Sequence, residues 1–161
     1  MHDHLHDVRE AISKVQALIP HLQNADMSKW EPGKDGVIDL PRLRQDPGWC
    51  AMRDIDGLIS LLLARFEITL QQLCQSKDSE KSMTRFLEFM TNGAKPDGYF
   101  TDGSLAAGVV DTGVDLELVT PSEAATLKLE RPWRSSFSLS DCTDYVQRIV
   151  STTEAIINRA E

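Results

Sequence analysis

Histidines and carboxylates lie close together at the start of the chain, where they have the chemistry of a metal site. His2, His4 and His6 alternate with Asp3 and Asp7. On a helix, His2 and His6 are one turn apart, so their imidazoles could share a transition metal with an acidic neighbour. A chain terminus tends to fray, however, and no group that would orient these imidazoles can be identified. We therefore keep His2 and His6 as candidate ligands for adventitious nickel or zinc, and we predict no cofactor.

A second candidate for chemistry is the carboxylate in Val109-Val110-Asp111-Thr112-Gly113. Two apolar residues followed by Asp-Thr-Gly resemble the active-site sequence of retroviral-type aspartic proteases. The resemblance implies that Asp111 activates water and that two subunits each supply one carboxylate, which share a proton. Asp-Thr-Gly is also a favourable turn sequence, so we predict a hairpin connection here. A carboxylate-based hydrolase centred on this turn is kept as an alternative function.

An acidic segment surrounds that turn, because no Lys or Arg occurs between Lys95 and Lys128. An exposed hairpin with one sign of charge suits a basic groove in another protein, where it speeds association and discriminates between partners. The alternative is a sheet edge that is kept charged against aggregation. Aromatic side chains would supply the anchors of such an interface. The candidate binding residues are Asp102, Asp111, Asp115, Glu117, Trp30, Trp49, Tyr99 and Phe100.

Motifs of several enzyme classes are missing from the sequence. It contains no Gly-rich phosphate loop, no G-x-S-x-G, no H-E-x-x-H and no pair of Glu-x-x-His motifs. His21 is the only histidine outside the N-terminal cluster. An enzyme would therefore have to work with carboxylates alone, and we predict that the protein is not an enzyme.

Four helices are predicted to position these groups. Apolar residues at helical spacing predict a first helix over 5–19, or a kinked one reaching about residue 23 because Pro20 removes a backbone donor. A strongly apolar central helix is predicted over 52–73, and two further helices over 79–91 and 139–160.

Two regions break the helical pattern. Residues 26–50 are rich in Pro and Gly and are predicted to form a long connection, which Trp30 and Trp49 pin to the body of the protein. Residues 105–110, 114–119 and 126–130 are short β-prone runs. The predicted fold class is mainly α: a bundle of about four helices with a small antiparallel β-meander, over about residues 97–131, before the C-terminal helix. The 161 residues are expected to form a single domain.

Apolar stripes on the first and last helices have two interpretations. Such stripes can form a coiled-coil contact in a homodimer. More often they form the core of a bundle within one chain, which is the interpretation that we favour.

Composition narrows the classes of partner and of compartment. The net charge of −8 comes from 25 acidic and 17 basic side chains, and it disfavours nucleic acid and membrane surfaces as partners. Three separated cysteines without a C-x-x-C pair argue against a disulfide framework or a zinc ribbon. We find no secretory signal pattern, and the most apolar run is too short to cross a bilayer, so a cytoplasmic location is expected.

These observations together predict a non-catalytic acidic protein-interaction module that acts on another protein with a basic surface. Inhibitors, immunity proteins and phage-encoded binding proteins are often built on this scale, which is an analogy of size and not of sequence. A self-associating structural or chaperone-like assembly subunit is the first alternative. The hydrolase centred on Asp111 is the second.

Overall fold

A computed structural model describes residues 4–25, 30, 32–91, 105–134 and 138–160. Seven α-helices and one 3-10 turn make up most of this part of the chain. The helices are α1 (His4–Gln23), α2 (Leu40–Leu43), α3 (Pro47–Lys77), α4 (Ser79–Thr91), α5 (Ala107–Asp115), α6 (Pro121–Leu127) and α7 (Leu139–Ala160), and the 3-10 turn is Pro132–Arg134.

The mainly α class is confirmed, but the predicted β-meander is wrong. Over the described residues 105–134 there is no strand, and the meander's first part, 97–104, lies outside the described residues. The Asp-Thr-Gly segment is the middle of α5 and not a hairpin turn, and the Thr112 hydroxyl donates to the Gly108 carbonyl oxygen at 2.7 Å. Val110, Gly113 and Leu116 are buried at helical spacing. Their packing outweighs the β-propensity of the valines.

Helix α6 begins with a capping box that the strand prediction overlooked. The Thr120 hydroxyl accepts from the Glu123 backbone N–H at 3.1 Å, and the Glu123 carboxylate accepts from the Thr120 N–H at 2.9 Å. Pro121 is the first helical residue, where its missing N–H costs nothing. Arg159 of α7 also pairs with Glu123. Burial alone would raise the pKa of Glu123, but the hydrogen bonds from Arg159 and Thr120 outweigh it and lower the pKa overall.

The long helix α3 is the centre of the fold. Its 31 residues span about 46 Å at 1.5 Å per residue. Helix α1 lies antiparallel along its first half: the Asp7 carboxylate is 4.0 Å from the Arg65 guanidinium, and Ala25, just after α1, contacts Gly48 at the start of α3. The second half of α3 packs against α4 and α5. The buried core residues of α3 include Ile55, Ile59, Leu62, Leu63, Phe66 and Leu70.

The apolar stripes of α1 and α7 are buried in this core. Val8, Ile12 and Val15 of α1 and Val146 and Ile149 of α7 are at most 3% exposed. The two helices pack on one another, and α1 continues through Pro20 to Gln23, the longer of the two predicted ends. A homodimer through helical stripes stays a prediction, and it would have to use other surfaces.

The predicted connection over 26–50 is interrupted by α2 and ends earlier than expected, because α3 begins at Pro47. The buried Asp46 carboxylate caps α3, accepting from the Trp49 backbone N–H at 3.0 Å. The same oxygen accepts from the Trp30 indole N–H at 2.8 Å. Trp30 is thus pinned to the start of α3, in agreement with the role predicted for it.

A buried arginine ties the segment after α6 to α3. The guanidinium of Arg131, which is 1% exposed, donates to the Asp56 carboxylate and the Ser60 hydroxyl, both at 2.9 Å. The Trp133 indole N–H donates to the same Asp56 oxygen at 2.9 Å. The Trp133 ring packs edge-on against Tyr145 of α7, with 5.5 Å between ring centroids. One carboxylate on α3 therefore orients the whole 3-10 turn.

Among the described helices, α3 alone is long and apolar enough to cross a membrane by length and composition. The same properties suit a core helix that neighbours cover on several sides, and α3 contacts α1, α4 and α5. The cytoplasmic location stays a prediction.

Candidate functional site

The predicted acidic binding residues lie on and just after α5, and two of them have cationic partners within the chain. The Asp111 carboxylate accepts from the Lys128 ammonium at 2.7 Å. One turn further along, Asp115 pairs with the Arg85 guanidinium of α4. These ion pairs partly cancel the negative charge that made the segment attractive as a binding surface. The exposed Glu117 follows α5 with a left-handed backbone, φ 61°.

The remaining predicted binding residues do not join these carboxylates in one site. Asp102, Tyr99 and Phe100 lie outside the described residues. Trp49 is in the first turn of α3, where the Arg53 guanidinium carbon is 5.5 Å from the centre of its ring. Helix α5 contacts α3 around Leu70, which is 21 positions or roughly 30 Å further along that helix. The tryptophans and the α5 carboxylates therefore belong to different surfaces.

The candidate metal ligands are only partly described. His6 is exposed on the first turn of α1, and His2 lies outside the described residues. Within the described residues, no group of three His, Cys, Asp or Glu side chains has the arrangement needed to hold a metal ion.

The feature best suited to binding is a cleft of about 460 Å³ between α3, α4 and α5. Its volume lies within the range of ligand pockets, about 300–1,000 Å³. Residues one or two turns apart on α3 form the floor, and α4 and α5 form the two walls. The lining residues are Glu67, Gln71, Cys74 and Gln75 of α3, Ser79, Ser82 and Met83 of α4, and Ala106, Gly108, Val109 and Thr112 of and beside α5.

Glu67 is the one acidic or basic side chain among these lining residues. Burial raises the pKa of its carboxyl, and the hydrogen bond from the Ala106 backbone N–H offsets this only in part. No Lys, Arg or His side chain contributes to the pKa of this carboxyl, in contrast to Asp111, Asp115 and Glu123, each of which has a basic partner. The cleft therefore holds a partly desolvated negative charge that nothing in the described structure neutralises.

Two further groups define what the cleft can do. The Ser82 hydroxyl is buried and makes no hydrogen bond to the described residues, so it keeps its full capacity to donate and accept. Burial raises the pKa of the Cys74 thiol to about 11, so this cysteine stays protonated at neutral pH and is a poor nucleophile. The arrangement favours binding over catalysis.

Apolar side chains continue from the cleft onto the surface of α4. Met83, on the wall of the cleft, is 56% exposed, and Leu87, one turn further along the same helix, is 54% exposed. We call Met83 and Leu87 the apolar rim. Two large apolar side chains at this spacing on an open face are typical of contact sites for another molecule.

Sequence reasoning did not find Glu67, and only part of the required signal was present. Glu67, Gln71 and Gln75 recur every four residues and form a polar stripe on the most apolar helix of the chain. This stripe indicates an open face on α3. The desolvation of Glu67 arises when α5, about 40 positions later in the chain, packs beside it.

No protein-family model matches this chain, and the comparisons with curated proteins and with solved structures also gave no match. The function is therefore argued from the cleft, its uncompensated carboxylate and the apolar rim.

Proposed function

We propose that this protein is a non-catalytic interaction module that binds a segment of another, basic protein at the cleft between α3, α4 and α5. The observation that supports this most is the continuity of the cleft with the exposed apolar rim on α4. Apolar surface that removes itself from water on contact supplies most of the free energy of protein association. The net charge of −8 favours the approach of a positively charged partner.

The proposal moves the predicted contact surface from the acidic residues of α5 to the cleft beside them. Asp111 and Asp115 are already engaged with Lys128 and Arg85, so a partner would have to displace those cations to use them. Inhibition, immunity or phage-type binding are roles that such a module can have, and they remain hypotheses about the partner.

Capture from lysate of the native host, at low and at high salt, tests this proposal with three forms of the tagged protein. The first is the wild type, and the second carries Met83→Glu and Leu87→Glu in the apolar rim. The matched control carries Val37→Glu and Leu40→Glu, because these side chains are 63% and 50% exposed at another surface. We expect one basic protein to be retained by the wild type and by the control, released by salt, and lost with the rim variant.

Retention that is equal for the rim variant and the wild type would contradict the proposal, as would the absence of any retained protein. Circular dichroism and thermal unfolding of all three forms must first show that each is folded.

The self-associating subunit is the alternative that the same exposed rim supports. Light scattering across a range of protein concentrations distinguishes the two functions. A dimer that the wild type and the Val37/Leu40 control form, but the rim variant does not, would assign the rim to a second copy of the chain. A monomer at high concentration would remove this alternative.

The hydrolase centred on Asp111 has less support. Its premise was a carboxylate on a tight turn after a buried strand, whereas Asp111 lies within a helix and contacts an ammonium group. Its activity remains untested, and replacement by Asn with unchanged peptide hydrolysis, or no hydrolysis in either form, would remove it.

A further inference from the structure

The cleft contains one uncompensated charge, and this restricts what can occupy it. A carboxylate that is partly removed from water is costly unless a cation or several hydrogen-bond donors reach it. Glu67 receives one backbone N–H, from Ala106, and no contact from a cation in the described part of the chain. An occupant that brings a positive charge to this position gains a charge-assisted hydrogen bond in a partly desolvated site.

The other walls of the cleft suit the aliphatic part of a long basic side chain. Met83 and Val109 present apolar surface on opposite walls, and the Cys74 thiol lies on the floor between them. The methylene groups of Arg and Lys pack on such surfaces while their charged ends reach a polar group. The buried Ser82 hydroxyl and the Gln71 amide offer further acceptors on the same cleft.

We propose that the cleft binds an arginine side chain carried by the partner protein, with its guanidinium paired to the Glu67 carboxylate. This inference rests on the proposed function and names the chemistry that the partner must present. Arginine suits the site better than lysine because its guanidinium has five donors in a plane. It can pair with a carboxylate and still donate to a neighbouring hydroxyl or amide oxygen. Arginine is also enriched among the residues that dominate interface energies.

Titration of the full-length, isotope-labelled protein with three short peptides tests the inference by NMR. The probes are Ac-Ala-Leu-Arg-Leu-Ala-amide and two peptides in which citrulline or lysine replaces the arginine. Citrulline has nearly the same shape as arginine but no charge. We expect the arginine peptide to shift the backbone amide of Ala106 and the methyl group of Met83 in a saturable way. The citrulline peptide should bind at least about tenfold more weakly, because a charge-assisted hydrogen bond is lost.

The matched variants are Glu67→Gln in the cleft and Glu130→Gln at an exposed position. Glu67→Gln should weaken binding of the arginine peptide by at least about tenfold, and should leave the weak binding of the citrulline peptide unchanged. Glu130→Gln makes the same chemical change outside the cleft and should leave both affinities as in the wild type.

The inference is overturned by equal affinities for the arginine and citrulline peptides, by equal affinities for the arginine and lysine peptides, or by shifts confined to Asp111 and Asp115. Its failure can be distinguished from failure of the proposed function. If the rim variant loses the captured protein while Glu67→Gln changes no peptide affinity, the binding module stands and the arginine assignment falls. If the rim variant retains the captured protein, the proposed function falls whatever the peptides do.

Discussion

Glu67 combines burial with the absence of a cation, and this has a consequence for stability. Because burial raises the pKa of Glu67 in the folded protein, ionising the carboxyl costs folding free energy. Below its ordinary pKa the group is protonated in both the folded and the unfolded chain, and the cost disappears. As the pH rises above this value, the unfolded chain ionises more readily and the folded state loses stability.

We therefore expect Glu67→Gln to unfold at a higher Tm than the wild type at pH 7, and at a similar Tm at pH 3.5. The measurement is thermal unfolding across this range of pH, with Glu130→Gln as the exposed control. A wild type that gains on Glu67→Gln as the pH rises would contradict the desolvation of this carboxyl, since that is the sign expected of a group with a lowered pKa.

Glu117 occupies a backbone conformation that favours glycine. Its N–H donates to the Val114 carbonyl at 3.0 Å and the Leu118 N–H donates to the Gly113 carbonyl at 2.9 Å, which is the hydrogen-bond pattern of a Schellman motif. Glu117 is the residue with φ 61° in this motif. A side chain in the left-handed region costs about 1–2 kcal/mol.

Replacing Glu117 with Gly is expected to raise the free energy of unfolding by about 0.5–1 kcal/mol, because the relief of strain exceeds the entropy that Gly adds to the unfolded chain. Replacement with Ala removes the carboxylate but keeps the strain, so it should change stability little. Urea unfolding of the three proteins separates the two effects. Equal stability of the Gly and Ala variants would contradict the strain at this position.

At the scale of elements, the long helices were predictable and the short ones were not. Stripes of many apolar residues identified α1, α3 and α7, because a long periodic run fits only one kind of element. Helices α5 and α6 have nine and seven residues, and over such lengths the β-branched valines and the alternation at 126–130 favoured strands. The contacts of α5 with α3 decide the matter, and a single sequence does not reveal them.

The proline-containing segments carried a signal that was interpreted in the wrong direction. Asp46-Pro47 and Thr120-Pro121 each consist of an N-cap residue followed by a proline in the first helical position. Proline there is compatible with a helix start, whereas the sequence analysis treated it as the mark of a connection or the end of a strand. Taken together with Glu123 three residues after Thr120, this pattern predicts the start of α6 from sequence alone.

The contact between the end of α1 and the start of α3 depends on a residue without a side chain. A Cβ atom on Gly48 would lie 2.1 Å from the Ala25 Cβ and 2.4 Å from its Cα, so the main chain would have to move. We expect Gly48→Ala to lower the free energy of unfolding by about 2–3 kcal/mol. Gly57→Ala, on the same helix with open space around it, should raise it by about 0.5–1 kcal/mol. A similar effect of both substitutions in chemical unfolding would show that the close approach is absent.

At the scale of the whole molecule, the Asp56 carboxylate connects parts of the chain that are far apart in sequence. It accepts hydrogen bonds from Arg131 and Trp133, and Trp133 in turn packs on Tyr145 of α7. The Arg131 side chain is 1% exposed, whereas that of Asp56 is 48% exposed. Removing the carboxylate therefore leaves a positive charge in the interior, which costs more than the loss of a surface ion pair.

We expect Asp56→Ala to lower the free energy of unfolding by about 2–3 kcal/mol. The matched control is Asp54→Ala two residues earlier on α3, where an exposed carboxylate pairs only with the neighbouring Arg53 at 3.3 Å, and it should cost less than about 0.5 kcal/mol. Urea unfolding followed by tryptophan fluorescence measures both, and it also reports the altered surroundings of Trp133. Equal costs for the two variants would mean that Arg131 does not depend on Asp56, and that the segment after α6 is held to α3 by apolar packing alone.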